Sequence, residues 1–169
     1  LGDVYKRQAY NDDKAVETRF KKFCEESKDA DIENAVVITK DGETYHFKGN
    51  SFSVDITAIG DKLQGAKVIH NHPDSKDYYG DCFSMEDFRT FFEYQLKRLE
   101  VVSGLGRYSM EYDGGFITKE NAKMKYIESG DKVLTNAMKT SKAIQYKQLD
   151  IMNLLNKTIQ GLRFKKVKS

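Results

Sequence analysis

The stretch Lys67-Val68-Ile69-His70-Asn71-His72-Pro73 constrains the fold more than any other part of the chain. Val68 and Ile69 are β-branched and apolar, which favours a buried strand. Side chains at i and i+2 of a strand leave on the same side, so His70 and His72 present two imidazoles together. Pro73 is the only proline, and without an N–H it cannot extend a sheet ladder. The strand therefore ends in two imidazoles on one face.

The remaining pattern predicts a mixed sheet with helices around it, an α/β (α+β) domain. Val16, Phe20, Phe23 and Cys24 mark one face of a helix from about Asp12 to Ser27. Ala35 to Thr39 reads as a buried strand, Lys40-Asp41-Gly42-Glu43 as a turn, and Thr44 to Lys48 as the returning strand of a hairpin. In that strand Tyr45 and Phe47 share one side and His46 takes the other, while Glu43 is expected to face solvent. Asp55 to Leu63 is a weaker helix broken by Gly60. Ser84 opens the clearest helix, whose apolar stripe runs through Phe88, Phe91, Phe92, Leu96 and Leu99. Arg107 to Tyr112 reads as a strand before an Asp113-Gly114-Gly115 turn. Thr118 caps a helix to about Lys139, and a last helix carries Leu149, Met152, Leu155, Ile159 and Leu162. Arg163 to Ser169 is expected to be a solvated basic tail.

At 169 residues the chain fits one domain. We divide it into an N-terminal extension (1–8), an N-terminal helix (9–32), a core (33–115) and a helical C-terminal extension of the same domain (116–169). The first eight residues, LGDVYKRQ, resemble translated adapter sequence at the ends of some metagenome-derived reading frames; they are expected to be non-native and are set aside. Hydrophobic residues make up 39%, charged residues 32%, and the formal charge is only +2, so neither nucleic acid nor an anionic membrane is an expected partner. No apolar run reaches membrane-spanning length, and nothing near the start resembles a secretory signal. Cys24 and Cys82 form no CxxC pair and are expected to be reduced thiols. These features point to a cytoplasmic protein.

Three features carry chemistry in order: Glu33, His70-x-His72, and Ser84-x-x-Asp87. Neutral imidazoles are good zinc ligands, and Asp87 in the first helical turn supplies a third corner if that helix packs across the strand end. Three protein ligands and an open position describe a catalytic zinc site. Glu33 is the candidate general acid/base, and Ser84 the candidate hydroxyl donor to an oxyanion. Each piece alone has a plainer reading. Paired histidines occur by chance in strands, and Ser-x-x-Asp is also a helix capping box. Asp74, Asp77 and Asp81 are competing acids for the third corner, and Glu25 and Glu26 compete with Glu33. The joint occurrence favours the metal.

Together these residues resemble the JAMM metalloprotease family, and His70-Asn71-His72-Pro73 is most similar to its RadC-like and phage-associated bacterial branches. The resemblance covers about Glu33 to Tyr112. It implies a JAMM/deaminase-like fold with His70, His72 and Asp87 as Zn2+ ligands, Glu33 as acid/base and Ser84 as oxyanion partner. The family's loop between the second His and the Ser is shorter than Pro73 to Phe83 by about four residues, an insertion a surface loop tolerates; Tyr78 and Tyr79 there are candidates for a substrate-contacting flap.

The leading expectation is a zinc-dependent metallopeptidase or isopeptidase acting on a protein or peptide, in a phage, prophage or mobile-element setting. Two alternatives are weighed against it: a metal-dependent nuclease or toxin, and a non-catalytic JAMM-like scaffold. Asp74, Asp77 and Asp81 beside His72 disfavour a phosphodiester substrate.

Overall fold

The computed structural model describes residues 3–5, 12–73, 80–139 and 148–168. Asp74, Asp77, Tyr78 and Tyr79 lie outside the described residues, as do residues 1–2 and 6–8 of the N-terminal octapeptide. The elements run β1 (Asp3–Tyr5), α1 (Asp13–Ser27), β2 (Asn34–Ile38), β3 (Thr44–Lys48), a 3-10 segment (Thr57–Leu63), β4 (Lys67–Asn71), α2 (Met85–Glu93), β5 (Arg98–Ser103), β6 (Gly106–Tyr112), α3 (Lys119–Lys139), α4 (Gln148–Thr158) and β7 (Leu162–Lys166). The fold is α+β, a mixed sheet flanked by helices.

Among the described residues the sheet has seven strands in the order β1-β3-β2-β4-β5-β6-β7. Only the central pair β4–β5 is parallel; every other neighbour is antiparallel. A parallel pair cannot be joined by a tight turn, and here α2 lies in the connection. The crossover therefore carries α2 from the end of β4 back to the start of β5.

Strand alternation splits the sheet into two faces. On one, Val36, Ile38 and Ile69 pack against Val16, Phe20 and Phe23 of α1. On the other, Ala35, Val37, Tyr45, Phe47, Val68, Leu99, Val101 and Met110 pack under α2, α3 and α4. Burying a side chain such as Phe20 or Phe88, neither of them exposed, contributes about 1.5–3 kcal/mol each. The two clusters sandwich the sheet, so its central strands are apolar on both sides.

Four sequence expectations need correction. The excluded octapeptide contributes a strand: β1 pairs antiparallel with β3, Asp3 opposite His46 and Tyr5 opposite Thr44. The helix opened by Ser84 stops at Glu93, where Gln95 takes a positive φ of 50°. Leu96 then sits in irregular chain and Leu99 in β5, a strand that sequence periodicity merges into the helix. Arg163 to Lys166 is no tail; with Leu162 it forms edge strand β7 on β6, and Lys-rich edges are a usual guard against further pairing. Glu43 is half-buried and accepts hydrogen bonds from the Tyr45 hydroxyl (2.7 Å) and the Lys62 ammonium (3.1 Å). The weak helix over Asp55 to Leu63 is a 3-10 segment kinked at Gly60, whose φ of 55° only glycine takes readily. Cys24 and Cys82 are both free thiols. No helix of the described residues is long and apolar enough to cross a membrane.

Candidate metal centre

The end of β4 supplies two side chains to the α2 face of the sheet. Val68 belongs to the cluster beneath α2, and the two-residue period carries His70 and His72 to the same side. Antiparallel pairing of β2 with β4 sets Ala35 opposite His70; the same register, two residues further on, brings Glu33 across from His72. The helix supplies the second acid, Asp87. Ser84 is its N-cap, accepting the Asp87 amide at 3.1 Å, while Asp87 Oδ2 accepts the Ser84 amide at 2.9 Å. This capping box satisfies two helix-terminal amides and pins the Asp87 carboxylate toward the strand end.

The four groups converge. His70 Nε2 and His72 Nε2 are 3.2 Å apart, Asp87 Oδ1 is 3.2 Å from the first and Oδ2 is 3.3 Å from the second. Glu33 Oε1 stands 4.0 Å from His72 Nε2. The imidazoles are held from behind: His70 Nδ1 lies 2.9 Å from the Glu100 carbonyl oxygen and His72 Nδ1 lies 3.1 Å from that of Gly80. A carbonyl only accepts, so each Nδ1 carries the hydrogen and each neutral ring turns its Nε2 lone pair to the shared point. Two imidazole nitrogens and two carboxylate oxygens then meet at one point. His70, His72 and Asp87 can hold a metal ion.

The titration behaviour expresses the same demand for positive charge. Burial alone would push the His70 pKa down, but the Asp87 charge, its hydrogen bond and the Glu100 carbonyl together raise it above the ordinary value. Burial alone would lift Asp87; the two imidazoles hold it well below the usual carboxylate range. Glu33 differs. Loss of water around its carboxylate, only partly offset by His72 and reinforced by Asp87, raises its pKa to about 7. Its Oε1 is buried without a hydrogen-bond partner, an orphan that buried polar groups rarely remain without a reason.

The convergence point opens into a cleft of about 360 Å³. Phe52 to Thr57 form one wall, the exposed side of α2 with Glu86, Arg89 and Thr90 forms the other, and Glu33, His70, His72, Ser84 and Asp87 lie along it. Phe52 is 69% exposed beside the opening. Acid dominates the rim: Asp55 and Glu86 line it, and Arg89 is engaged by both Glu86 and Glu93 at 2.6 Å.

The structure brings together Glu33, His70, His72, Ser84 and Asp87. It leaves out the described competitors. Asp81 faces the N-terminus of α4, accepting the Leu149 amide at 3.4 Å. Glu25 and Glu26 sit on α1, across the sheet from the cleft. His46 pairs with Val36 on that far face too. Sequence reasoning missed the two carbonyls that fix the imidazoles and the Phe52–Thr57 wall. Backbone acceptors leave no residue signature, and the wall is irregular chain without periodicity. Compared with models of known families, with curated proteins and with solved structures, the chain matches none.

Proposed function

We propose that this protein is a zinc-dependent hydrolase of the JAMM type that cleaves an amide bond in a protein or peptide. The observation that carries the reading is the donor set at the foot of the cleft. Ligands at roughly 2.0–2.1 Å around a tetrahedral centre stand about 3.3–3.4 Å from one another. The two imidazole nitrogens, 3.2 Å apart, match that edge length, and each faces its own oxygen of the Asp87 carboxylate at 3.2 and 3.3 Å. Two nitrogens and one carboxylate suit zinc and are foreign to calcium or magnesium. Three protein ligands leave a tetrahedral position for water.

Zinc held there would bring the pKa of a water molecule to roughly 7 and polarise a carbonyl. The chain's own residues would do the rest. Glu33 is buried beside His72, its Oε1 has no hydrogen-bond partner, and it is poised near neutral pH, so it can take a proton from water and hand it to the leaving amine. The Ser84 hydroxyl oxygen accepts from Asp87 N–H, which leaves its hydrogen for an oxyanion in the cleft. His70 and His72 keep their lone pairs forward because the Glu100 and Gly80 carbonyls hold their other nitrogens. The acidic rim supports a peptide over a phosphodiester, whose charge it would repel.

The test combines metal analysis with a broad peptide and protein library digested by wild type and Glu33→Gln, read by mass spectrometry. Wild type should carry about one zinc per chain and cut amide bonds, and Glu33→Gln should keep the zinc and lose at least roughly 100-fold in rate. Zinc retention with no amide cleavage, alongside DNA cleavage that disappears in His70→Ala, would replace this reading with a nuclease.

A further inference from the structure

The segment Gly80 to Ser84 connects two parts of the candidate metal centre. Its first carbonyl meets His72 Nδ1 at 3.1 Å, and its last residue caps the helix that carries Asp87. Between them every residue is tied. The Asp81 carbonyl accepts the Ser103 hydroxyl at 2.8 Å and its carboxylate accepts the Leu149 amide at 3.4 Å. The Cys82 amide donates to Gln148 Oε1 at 3.2 Å. The Phe83 carbonyl accepts the Tyr126 hydroxyl at 2.7 Å, a fully buried bond. Phe83 itself is buried, its ring 6.4 Å from that of His70. Three of these ties come from α3 and α4, which lie outside the stretch that resembles the JAMM family.

We infer that Tyr126 and Gln148 are positioning residues for the metal centre, so that the C-terminal helical pair is a working part of the site. The physical argument is a lever. A main-chain segment with no regular structure keeps its carbonyl on His72 only if its neighbours are fixed, and here α3 and α4 fix them. Displacing Cys82 or Phe83 moves Gly80 and Ser84 together, which turns the His72 ring and tilts the Asp87 carboxylate. Partners hydrogen-bonded to the ligands typically change metal affinity 10–100-fold when removed, and Tyr126 and Gln148, one link further back through Phe83 and Cys82, are expected at the low end of that range. The inference rests on metal binding at His70, His72 and Asp87 and needs no particular substrate.

The experiment measures zinc affinity of the full chain by competition with a chromophoric chelator, for wild type, Tyr126→Phe, Gln148→Met and Asn156→Ala. The first two remove one hydrogen bond each at nearly constant volume. Asn156, whose Oδ1 accepts the Phe164 amide at 2.9 Å, belongs to the same region; among the described residues it makes no hydrogen bond to Gly80–Ser84 and is linked to them only through the Phe164 ring, 6.1 Å from that of Phe83. Tyr126→Phe and Gln148→Met should each weaken zinc binding about 10-fold, while Asn156→Ala loses stability and leaves affinity unchanged. Coupling is reciprocal, so zinc added to wild type should slow hydrogen exchange at the Cys82 and Leu149 amides, a readout that needs no variant to fold. Wild-type affinity in both clamp variants, an equal loss in Asn156→Ala, or exchange at those amides indifferent to zinc would overturn the proposal. A wild type that holds no zinc would instead remove the reading it rests on.

Discussion

The two faces of the central strands each bury a cluster of charged or ionisable groups, and only one of them is complete. On the α1 face, Arg107 Nε donates to Glu100 at 2.5 Å and its other two nitrogens reach both oxygens of Glu17 at 2.8 and 2.9 Å. The guanidinium fork is matched donor for acceptor, which is the arrangement that lets an ion pair survive burial. On the α2 face, His70, His72, Asp87 and Glu33 turn acceptor atoms toward one point, and the buried Glu33 Oε1 has no hydrogen-bond partner. Glu100 belongs to both: its side chain closes the first cluster and its carbonyl orients His70 in the second. The lesson is that buried charge by itself does not mark a functional site. What the α2 face adds is a group of converging acceptors, His70, His72 and Asp87, that could hold a metal ion.

The sharpest way to break the comparison is to remove a ligand. His70→Ala or His72→Ala should reduce zinc affinity by at least about 100-fold, read as metal per chain after gel filtration. In wild type, saturating zinc at a thousand-fold excess over Kd adds about 4 kcal/mol, so EDTA should lower Tm by roughly 10 °C. In the His variants EDTA should do nothing. If wild type and variants retain equal zinc, the metal sits elsewhere and the contrast between the faces loses its meaning.

Arg107→Ala tests the complete cluster. It leaves Glu100, 2% exposed, with only Arg98 at 3.7 Å for company, and truncating one partner of a buried pair costs about 3–5 kcal/mol. Urea denaturation should show that loss while the metal stoichiometry stays that of wild type. A variant as stable as wild type would mean that the pair is nearly neutral, as some buried pairs are.

Protons sharpen the difference further. In the metal-free protein Glu33 titrates at about 7 when folded and near 4.5 when unfolded, so between those values the folded state holds a proton that the unfolded state has lost. Stability therefore falls as pH rises through that window, by about 3 kcal/mol for Glu33 alone. His70 acts in the same direction: its raised pKa gives stability that is full below 6.5 and lost as pH rises through the folded value. Asp87, depressed, contributes above 3.8 and fades only in more acid solution. Zinc reverses the slope, since protons compete with it for the imidazoles and its affinity grows with pH. Denaturation at pH 5 to 8, with and without EDTA, should give opposite trends, and Glu33→Gln should flatten the metal-free one. Parallel curves would contradict the assignment of these groups.

How much of this was legible in the sequence depends on whether side chains or backbone carry the information. The strand bearing His70 and His72 was readable from period two and Pro73, and the capping box of Ser84 and Asp87 from its spacing. Strand β5 was not, because Leu96 and Leu99 continue the spacing set by Phe88 and Phe92, and the helix is stopped by a left-handed Gln95 where no glycine announces it. Strand β7 hid behind its charge: Leu162 and Phe164 alternate inward, but Arg163, Lys165 and Lys166 gave the segment the composition of a tail. Glu33 was named from its order alone; the register that sets it opposite His72 exists only once β2 and β4 pair. The carbonyls of Glu100 and Gly80 could not be foreseen from any residue type.

The smallest expected effect separates two jobs held by Ser84. As an N-cap its oxygen accepts the Asp87 amide, and replacing a capping Ser by Ala costs about 1 kcal/mol, whereas Gly at that position costs only a few tenths. Neither replacement can donate a hydrogen bond to an oxyanion. Ser84→Ala and Ser84→Gly should therefore differ in stability yet lose the same share of turnover, roughly 100-fold, because one donor has gone from both. Zinc affinity should follow stability, slipping slightly in Ser84→Ala as the first turn loosens its hold on Asp87. Turnover that tracks stability instead, with Ser84→Gly nearly as active as wild type, would reduce Ser84 to a helix cap. The chemistry would then rest on Glu33 and the metal, and the α2 face would differ from the α1 face only in lacking a cation.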